Sequence, residues 1–184
     1  MTKRGMLGPM RAGERTRRLL FVHGAGGYVE DRPLADALGV AVDADLVMPH
    51  LPDQDMSAAA WSAALRAEMG RLGRHDLMVG HSFGASILLG VLREPEWPPG
   101  RRVALLAMPD WGPDGWDIPD YVLGGPQPHH LISLHHCRDD HVVPYSHLAL
   151  NTSRLPTAQP LPHATGGHQF EGRVDEVATW LTNR

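Results

Sequence analysis

One serine of this chain stands between two glycines, in a setting that could make its hydroxyl a nucleophile. The pentapeptide Gly80-His81-Ser82-Phe83-Gly84 follows an apolar run and precedes a segment of helical character. A Gly-x-Ser-x-Gly pattern between a strand and a helix predicts a tight turn that exposes the serine at the end of the strand. Glycines suit this turn because a side chain at either position would clash. The alternative interpretation is a tight turn whose serine is inert.

A serine hydroxyl is a weak nucleophile, so it needs a base, and the base needs an acid that orients it. Twelve histidines could supply the base. Two of them lie late in the chain: His168 follows two glycines before the last predicted helix, and His163 lies in the last predicted strand, directly after a proline. The strand position makes His163 the poorer candidate. Two candidate acids, Asp139 and Asp140, follow the fifth predicted strand.

Short apolar runs alternate with amphipathic segments, and these are the elements that must position the candidate residues. We predict strands at 19–22, 45–48, 77–79, 103–108, 131–134 and 157–163. Helices are predicted after Asp31 and Ser57, which can cap them, after the serine turn, and from about Glu171. Strands that alternate with helices specify a parallel sheet covered on both faces, with its active site at the carboxyl ends of the strands. Two prolines in the last strand predict an edge position.

Four motifs together resemble the alpha/beta-hydrolase superfamily, and more narrowly the small lid-less serine hydrolases of the retinoblastoma-binding-protein type. They are the serine pentapeptide, the loop His23-Gly24-Ala25-Gly26 after the first strand, the run Asp140-x-x-Val143-Pro144, and the terminal Gly-Gly-His. The resemblance implies a minimal three-layer α/β/α fold with a mainly parallel six-stranded sheet and no cap domain. We therefore expect residues 19–184 to form a single domain after a mobile basic tail over residues 1–18.

The same resemblance implies roles for individual residues. In this family the chain order is serine, acid, histidine, which gives a catalytic triad of Ser82, Asp140 and His168, with Asp139 as the second choice for the acid. The backbone N–H groups of Ala25 and Phe83 would form the oxyanion hole. Phe83 also begins a predicted helix, whose free N–H groups and dipole favour negative charge.

The expected activity is hydrolysis of a carboxylic ester or thioester through an acyl-serine intermediate, without metal or organic cofactor. Only the 22 residues 109–130 separate the fourth and fifth predicted strands, too few for a helical cap, so the site should be open and the acyl group small or short. Trp111 and Trp116 lie in this segment. They are candidates for substrate binding, and the alternative is that they anchor a long loop in the core.

Composition limits the partners. The 184 residues suffice for one domain, and the net charge of −4 argues against a nucleic-acid partner. The chain has no apolar run of membrane-spanning length, and its single cysteine, Cys137, cannot form an intramolecular disulfide. We expect a cytoplasmic protein whose partner is a small-molecule acyl substrate, with the oligomeric state left open.

Two other functions remain as alternatives to the serine hydrolase. The first is a catalytically silent scaffold that binds a ligand or a protein, since a fold does not fix a function. The second is a metallohydrolase, because the run from His136 to His141 nearly matches a His-x-His-x-Asp-His metal signature. Arg138 occupies the second ligand position of that signature, and a permanently charged guanidinium cannot coordinate a metal.

Overall fold

The structure is a computed structural model that describes residues 17–122 and 124–183. The strands are β1 Arg18–Val22, β2 Asp45–Val47, β3 Leu77–His81, β4 Arg102–Leu106, β5 Leu131–Cys137 and β6 Gln159–His163. The helices are α1 Arg32–Ala41, α2 Ala58–Met69, α3 Phe83–Leu92, α4 Ser146–Arg154 and α5 Val174–Thr182, with a 3-10 turn at Pro119–Tyr121.

The six strands form one sheet in the order β2-β1-β3-β4-β5-β6, and every neighbouring pair is parallel. The predicted six-stranded parallel sheet is confirmed, and so is the edge position of β6. The order reverses beside β1, because β1 pairs with both β2 and β3. The loops that follow β1 and β3 therefore leave the sheet side by side at its carboxyl edge, where ligands bind in folds of this kind.

Helices cover both faces of the sheet, which gives three layers. Leu20 and Val22 of β1 join the apolar cluster that α2, α3 and α4 cover, whereas Leu19 and Phe21 join the cluster beneath α1 and α5. Alternate side chains of a strand point to opposite faces, so a continuous apolar run such as β1 feeds both cores. Between β4 and β5, the described residues form one 3-10 turn and no α-helix, as expected for a fold without a cap domain.

Several boundaries differ from the predictions. Residues 1–16 of the predicted tail lie outside the described residues. Arg18, the last residue of the predicted tail, belongs to β1. The strand β5 continues three residues beyond Leu134 into buried polar side chains, which an apolar pattern does not detect. Helix α4 was not predicted, because its sequence is largely polar and it buries few side chains. Helix α5 begins at Val174 rather than near Glu171, since Phe170 has a positive φ of 55° and precedes a turn.

No helix among the described residues is long and apolar enough to cross a membrane. The Cys137 thiol is buried at the end of β5. Burial raises the pKa of this thiol to about 12, and the neighbouring carboxylates of Asp139 and Asp140 act in the same direction. The thiol is therefore protonated at neutral pH and is not a candidate nucleophile.

Candidate active site

Ser82 lies in the turn between β3 and α3, in a backbone conformation that exposes its hydroxyl. Its φ of 51° and ψ of −124° are unusual for a residue with a side chain, and its N–H donates a 2.8 Å hydrogen bond to the carbonyl of Leu106. A Cβ added at Gly80 would lie 2.6 Å from Cα of Ala85. One added at Gly84 would collide with the backbone of the β1 loop. The prediction that both glycines are needed for this turn agrees with these contacts.

The glycine loop after β1 lies against this turn. A Cβ at Gly24 would be 3.2 Å from Cβ of Ser82, so the loop backbone approaches the serine closely. The buried His23 ring holds the loop: Nδ1 donates to the carbonyl of Gly24 at 2.7 Å, and Nε2 accepts from the N–H of Leu51 at 3.2 Å. Burial lowers the pKa of His23, which favours the neutral ring that this pattern requires.

The two N–H groups predicted to form an oxyanion hole belong to Ala25 and Phe83. Both residues line the same cavity as Ser82. In the described parts of the chain, neither N–H donates a hydrogen bond to another protein group. Phe83 is the first residue of α3, so its free N–H carries the positive end of the helix dipole. These two donors are available to an anionic oxygen.

The carboxylate of Asp140 contacts the imidazole of His168. Nδ1 of His168 lies 2.9 Å from Oδ2 of Asp140, whose side chain is fully buried. The other oxygen, Oδ1, accepts from the N–H groups of Val142 and Val143 at 2.8 and 2.9 Å. Burial opposes ionisation, but the hydrogen bonds from His168 and Val143 outweigh it and lower the pKa of Asp140. The Asp140 carboxylate is therefore ionised at neutral pH and held in one orientation.

Asp139, the second choice for the acid, has a different position. Its two oxygens accept from the backbone N–H groups of Gly166 and Gly167, at 3.2 and 2.9 Å. Both hydrogen bonds lower the pKa of the Asp139 carboxyl, and the bond from Gly167 has the larger effect. Asp139 thus shapes the loop that carries His168, whereas Asp140 contacts the ring itself.

Ser82 and His168 face a common cavity of about 340 Å³. Within the described residues, no hydrogen bond joins the serine hydroxyl to the imidazole. Hydrogen bonds between a nucleophile and its base are often long without substrate and tighten in the complex. The structure therefore brings the predicted serine, base and oxyanion donors to one cavity, and the predicted acid reaches it through its contact with His168.

Aromatic side chains form one wall of the cavity. Trp111 is 8% exposed and donates from Nε1 to Oγ of Ser86 at 2.8 Å, so it is part of the core as well as of the wall. Trp116 packs on it with ring centroids 5.0 Å apart and is 36% exposed at the mouth. Tyr121 completes the wall and donates from its hydroxyl to the carbonyl of Met56 at 3.0 Å. Each alternative therefore applies to one of the two tryptophans. Trp111 anchors its segment in the core, and Trp116 lies at the rim of the cavity.

Four polar residues that line this cavity were not predicted as site residues from the sequence: Glu30, Asp31, His81 and Gln169. Asp31 does stand at the N-terminus of α1, as predicted, but the prediction that it caps the helix is wrong. Its side chain makes no capping hydrogen bond and points instead to Gly24, His81 and Gln169. Of these residues, only His81 had a local signal in the sequence that could have placed it at the site, because it belongs to the serine pentapeptide.

The remaining candidate residues lie elsewhere. His163 of β6 stacks on His135 of β5 with ring centroids 5.3 Å apart, and both side chains are buried. His136 donates from Nε2 to the carbonyl of Val143 and lies 3.6 Å from Oδ2 of Asp140, behind the acid. Across the described parts of the chain, no three His, Cys, Asp or Glu side chains are grouped as metal ligands would be.

Solved structures with the same architecture come from several organisms. The ydeN gene product of B. subtilis matches with a TM-score of 0.71 at 17% identity, over 89% of this chain and 97% of that one. Est1E from Butyrivibrio proteoclasticus matches with a TM-score of 0.67 at 12% identity, over 92% and 87%. Alpha/beta hydrolase domain-containing protein 10 from mouse matches with a TM-score of 0.64 at 12% identity, over 90% and 86%.

The chain has the alpha/beta-hydrolase fold. This confirms the superfamily resemblance drawn from the motifs, at the level of the fold. No protein-family model matches the sequence, and no curated protein matches it. The narrower likeness to the retinoblastoma-binding-protein type stays a prediction. Ser82 lies in the strand-to-helix turn predicted from its motif, and His168 lies in the loop that precedes α5.

Proposed function

We propose that this chain is a serine hydrolase that cleaves carboxylic esters or thioesters with a small or short acyl group. One observation carries the proposal: the Asp140–His168 pair, with its 2.9 Å contact, faces the cavity into which the Ser82 turn projects. A buried carboxylate on Nδ1 fixes the tautomer in which Nε2 is free to accept a proton. That is the arrangement that activates a serine hydroxyl.

In the acylation step, Oγ of Ser82 attacks the carbonyl carbon of the substrate while Nε2 of His168 takes the hydroxyl proton. The carbonyl oxygen becomes an oxyanion beside the N–H groups of Ala25 and Phe83, where each donor is worth about 2.7–4 kcal/mol of transition-state stabilisation. The bond from carbon to the leaving oxygen or sulfur then breaks, and His168 returns its proton to the leaving group. Asp140 stays ionised throughout and stabilises the imidazolium.

In the deacylation step, water takes the place of the alcohol or thiol. His168 removes a proton from the water as its oxygen attacks the acyl carbon, and the bond to Oγ of Ser82 breaks. The proton passes from His168 to the serine oxygen, and the carboxylic acid leaves. The chain's own side chains supply each proton transfer in this sequence.

The size of the cavity supports a small acyl group. Its volume of about 340 Å³ lies near the lower end of the range of about 300–1,000 Å³ for small-molecule sites. The wall of Met56, Phe83, Trp111, Trp116 and Tyr121 is apolar, which suits the hydrocarbon part of an ester. We expect turnover to fall as the acyl chain lengthens beyond what this space holds.

A panel of p-nitrophenyl esters from acetyl to lauroyl tests the proposal. We expect the wild-type protein to prefer the short esters, and Ser82→Ala to lose turnover while keeping its thermal unfolding temperature. A Ser82→Ala protein that retains normal turnover would rule out the serine mechanism. A preference for long acyl chains would contradict the substrate class and leave the mechanism standing.

A further inference from the structure

A second carboxylate–imidazole pair lies beside Ser82 and His168, formed by two residues that the mechanism above does not use. Oδ2 of Asp31 lies 2.8 Å from Nδ1 of His81, and both side chains are almost fully buried, at 3% and 1% exposed. His81 directly precedes the nucleophile, and Asp31 directly precedes α1. The two residues are 50 positions apart in the chain, so only the fold brings them together.

The hydrogen bonds of His81 specify its charge. Nδ1 faces the carboxylate of Asp31, and Nε2 lies 2.9 Å from the backbone carbonyl oxygen of His168. A backbone carbonyl can only accept a hydrogen bond, and so can an ionised carboxylate. The ring satisfies both partners only when both of its nitrogens carry protons, which makes it an imidazolium.

The surroundings of Asp31 agree with the ionised form. Oδ2 also accepts from the N–H of Gly24 at 2.7 Å, and Oδ1 accepts from Nε2 of Gln169 at 2.9 Å. Burial opposes ionisation of this carboxyl, but the hydrogen bonds and the charge of His81 outweigh it and lower the pKa of Asp31 to about 2. Three donors therefore converge on one buried carboxylate.

These contacts join the three segments that the proposed chemistry has to keep in register. Through Gly24 the carboxylate holds the oxyanion loop, and through His81 it holds the nucleophile turn. Through the carbonyl of His168 and the side chain of Gln169, the same pair holds the loop that carries the base. Asp140 orients the ring of His168 from one side, and His81 fixes its backbone from the other.

We propose that Asp31 and His81 form a buried carboxylate–imidazolium pair that positions the oxyanion loop and His168 for acyl transfer. Both are positioning residues, because they act through other groups rather than on the reacting atoms. The inference rests on the proposed serine hydrolase function. It predicts a loss of kcat rather than of substrate binding, since a displacement of about 1 Å in reacting groups costs on the order of 100-fold in rate.

The main test is Asp31→Asn, which keeps the size and removes the charge. The asparagine oxygen can still accept from Gly24 and His81, and its amide can turn toward Gln169. His81 then has one proton for two acceptors, so one of its contacts is lost. We expect kcat on p-nitrophenyl acetate to fall on the order of 100-fold with KM changed less than about threefold. The matched control is Asp36→Asn on α1, the helix that follows Asp31; it removes an exposed ion pair with Arg32 and should leave kcat unchanged.

Two variants of His81 separate its two contacts. Gln is long enough to bring an amide N–H near the position of Nε2, whereas Asn reaches only the position of Nδ1. His81→Gln can therefore keep the bond to the His168 carbonyl, and His81→Asn can keep the bond to Asp31. We expect His81→Gln to retain the higher kcat. A merely structural role predicts equal kcat for the two folded variants.

A measurement without turnover guards against variants that fail to fold. In wild-type protein labelled with ¹⁵N-histidine, both ring nitrogens of His81 should have the chemical shifts of protonated nitrogens at neutral pH. A bare nitrogen on His81 would overturn the proposal. If wild type reacts with a fluorophosphonate but folded Asp31→Asn turns over as fast as wild type, the positioning role alone is refuted. If folded wild type does not react at all, the proposed function fails, and the positioning role with it.

Discussion

Replacing Asp140 by asparagine should remove most of the activity by forcing the wrong tautomer on His168. In the structure, Oδ1 of Asp140 accepts from two backbone N–H groups, those of Val142 and Val143. An asparagine must keep its oxygen there, because the opposite orientation would turn an amide NH₂ toward two donors and leave each unpaired at about 1–3 kcal/mol. Its NH₂ then faces His168, whose Nδ1 has to accept. The ring proton moves to Nε2, and the base can no longer take a proton from Ser82.

The expected loss in kcat for Asp140→Asn is on the order of 10⁴-fold, or about 5.5 kcal/mol, which is the size found when a triad acid is replaced so that the tautomer is wrong. Asp139→Asn is the matched control. It weakens one of the hydrogen bonds to Gly166 and Gly167 and leaves the tautomer of His168 unchanged. We expect its kcat to stay within about tenfold of wild type.

Initial rates on p-nitrophenyl acetate, with circular dichroism to verify folding, provide the assay for this pair of variants. The reasoning is refuted if folded Asp140→Asn keeps kcat within about tenfold of wild type. It is equally refuted if Asp139→Asn is the more damaged of the two, since that result would make Asp139 the acid.

Three further predictions concern the turn, the buried histidines and the aromatic wall. Gly84→Ala should lower both activity and unfolding free energy, the latter by about 1–3 kcal/mol, because its Cβ would collide with the β1 loop; Gly39→Ala, whose Cβ would meet no atom closer than 3.5 Å, should be neutral or stabilising in the same urea titration. Burial, and then the nearby His163, lower the pKa of His135 to about 3, so below pH 6.5 the unfolded chain binds more protons than the folded one. Urea denaturation should show the free energy of unfolding falling between pH 7 and pH 5, with about 2 kcal/mol of the loss from His135 and more from other buried histidines whose pKa values are lowered, such as His136 and His163. An unchanged stability would contradict this. Trp116→Ala should raise KM several-fold with little change in thermal stability, whereas Trp111→Ala should lose about 3–5 kcal/mol of stability; equal effects of the two on stability would contradict the division between rim and anchor.

The sequence predicted those parts of the site whose geometry is determined by residues close to one another in the chain. The two glycines of the serine turn are required by contacts within a few residues of Ser82, or with the adjacent loop. The choice between Asp139 and Asp140 depended on the spacing to Val143-Pro144, which differs by one residue between the two aspartates. In the structure that spacing matters because Oδ1 of Asp140 accepts from the N–H groups two and three residues further on.

The parts that the sequence did not predict depend on contacts between distant residues. An aspartate before a helix is commonly a cap, and no local pattern distinguishes a capping Asp31 from one that turns away to bind His81. The end of β5 was missed because His135 and His136 are polar. They are buried there because each finds a partner, His135 in His163 and His136 in the carbonyl of Val143. Polar side chains with partners extend a strand without any apolar signal.

Covalent labelling with a fluorophosphonate tests the central claim most directly, because it requires an activated serine and no knowledge of the substrate. With folded wild-type protein at neutral pH, we predict a single adduct, which peptide mass spectrometry assigns to Ser82, and strongly slowed labelling of Asp140→Asn. A folded protein that takes up no label, or takes it up at a residue other than Ser82, would contradict the account.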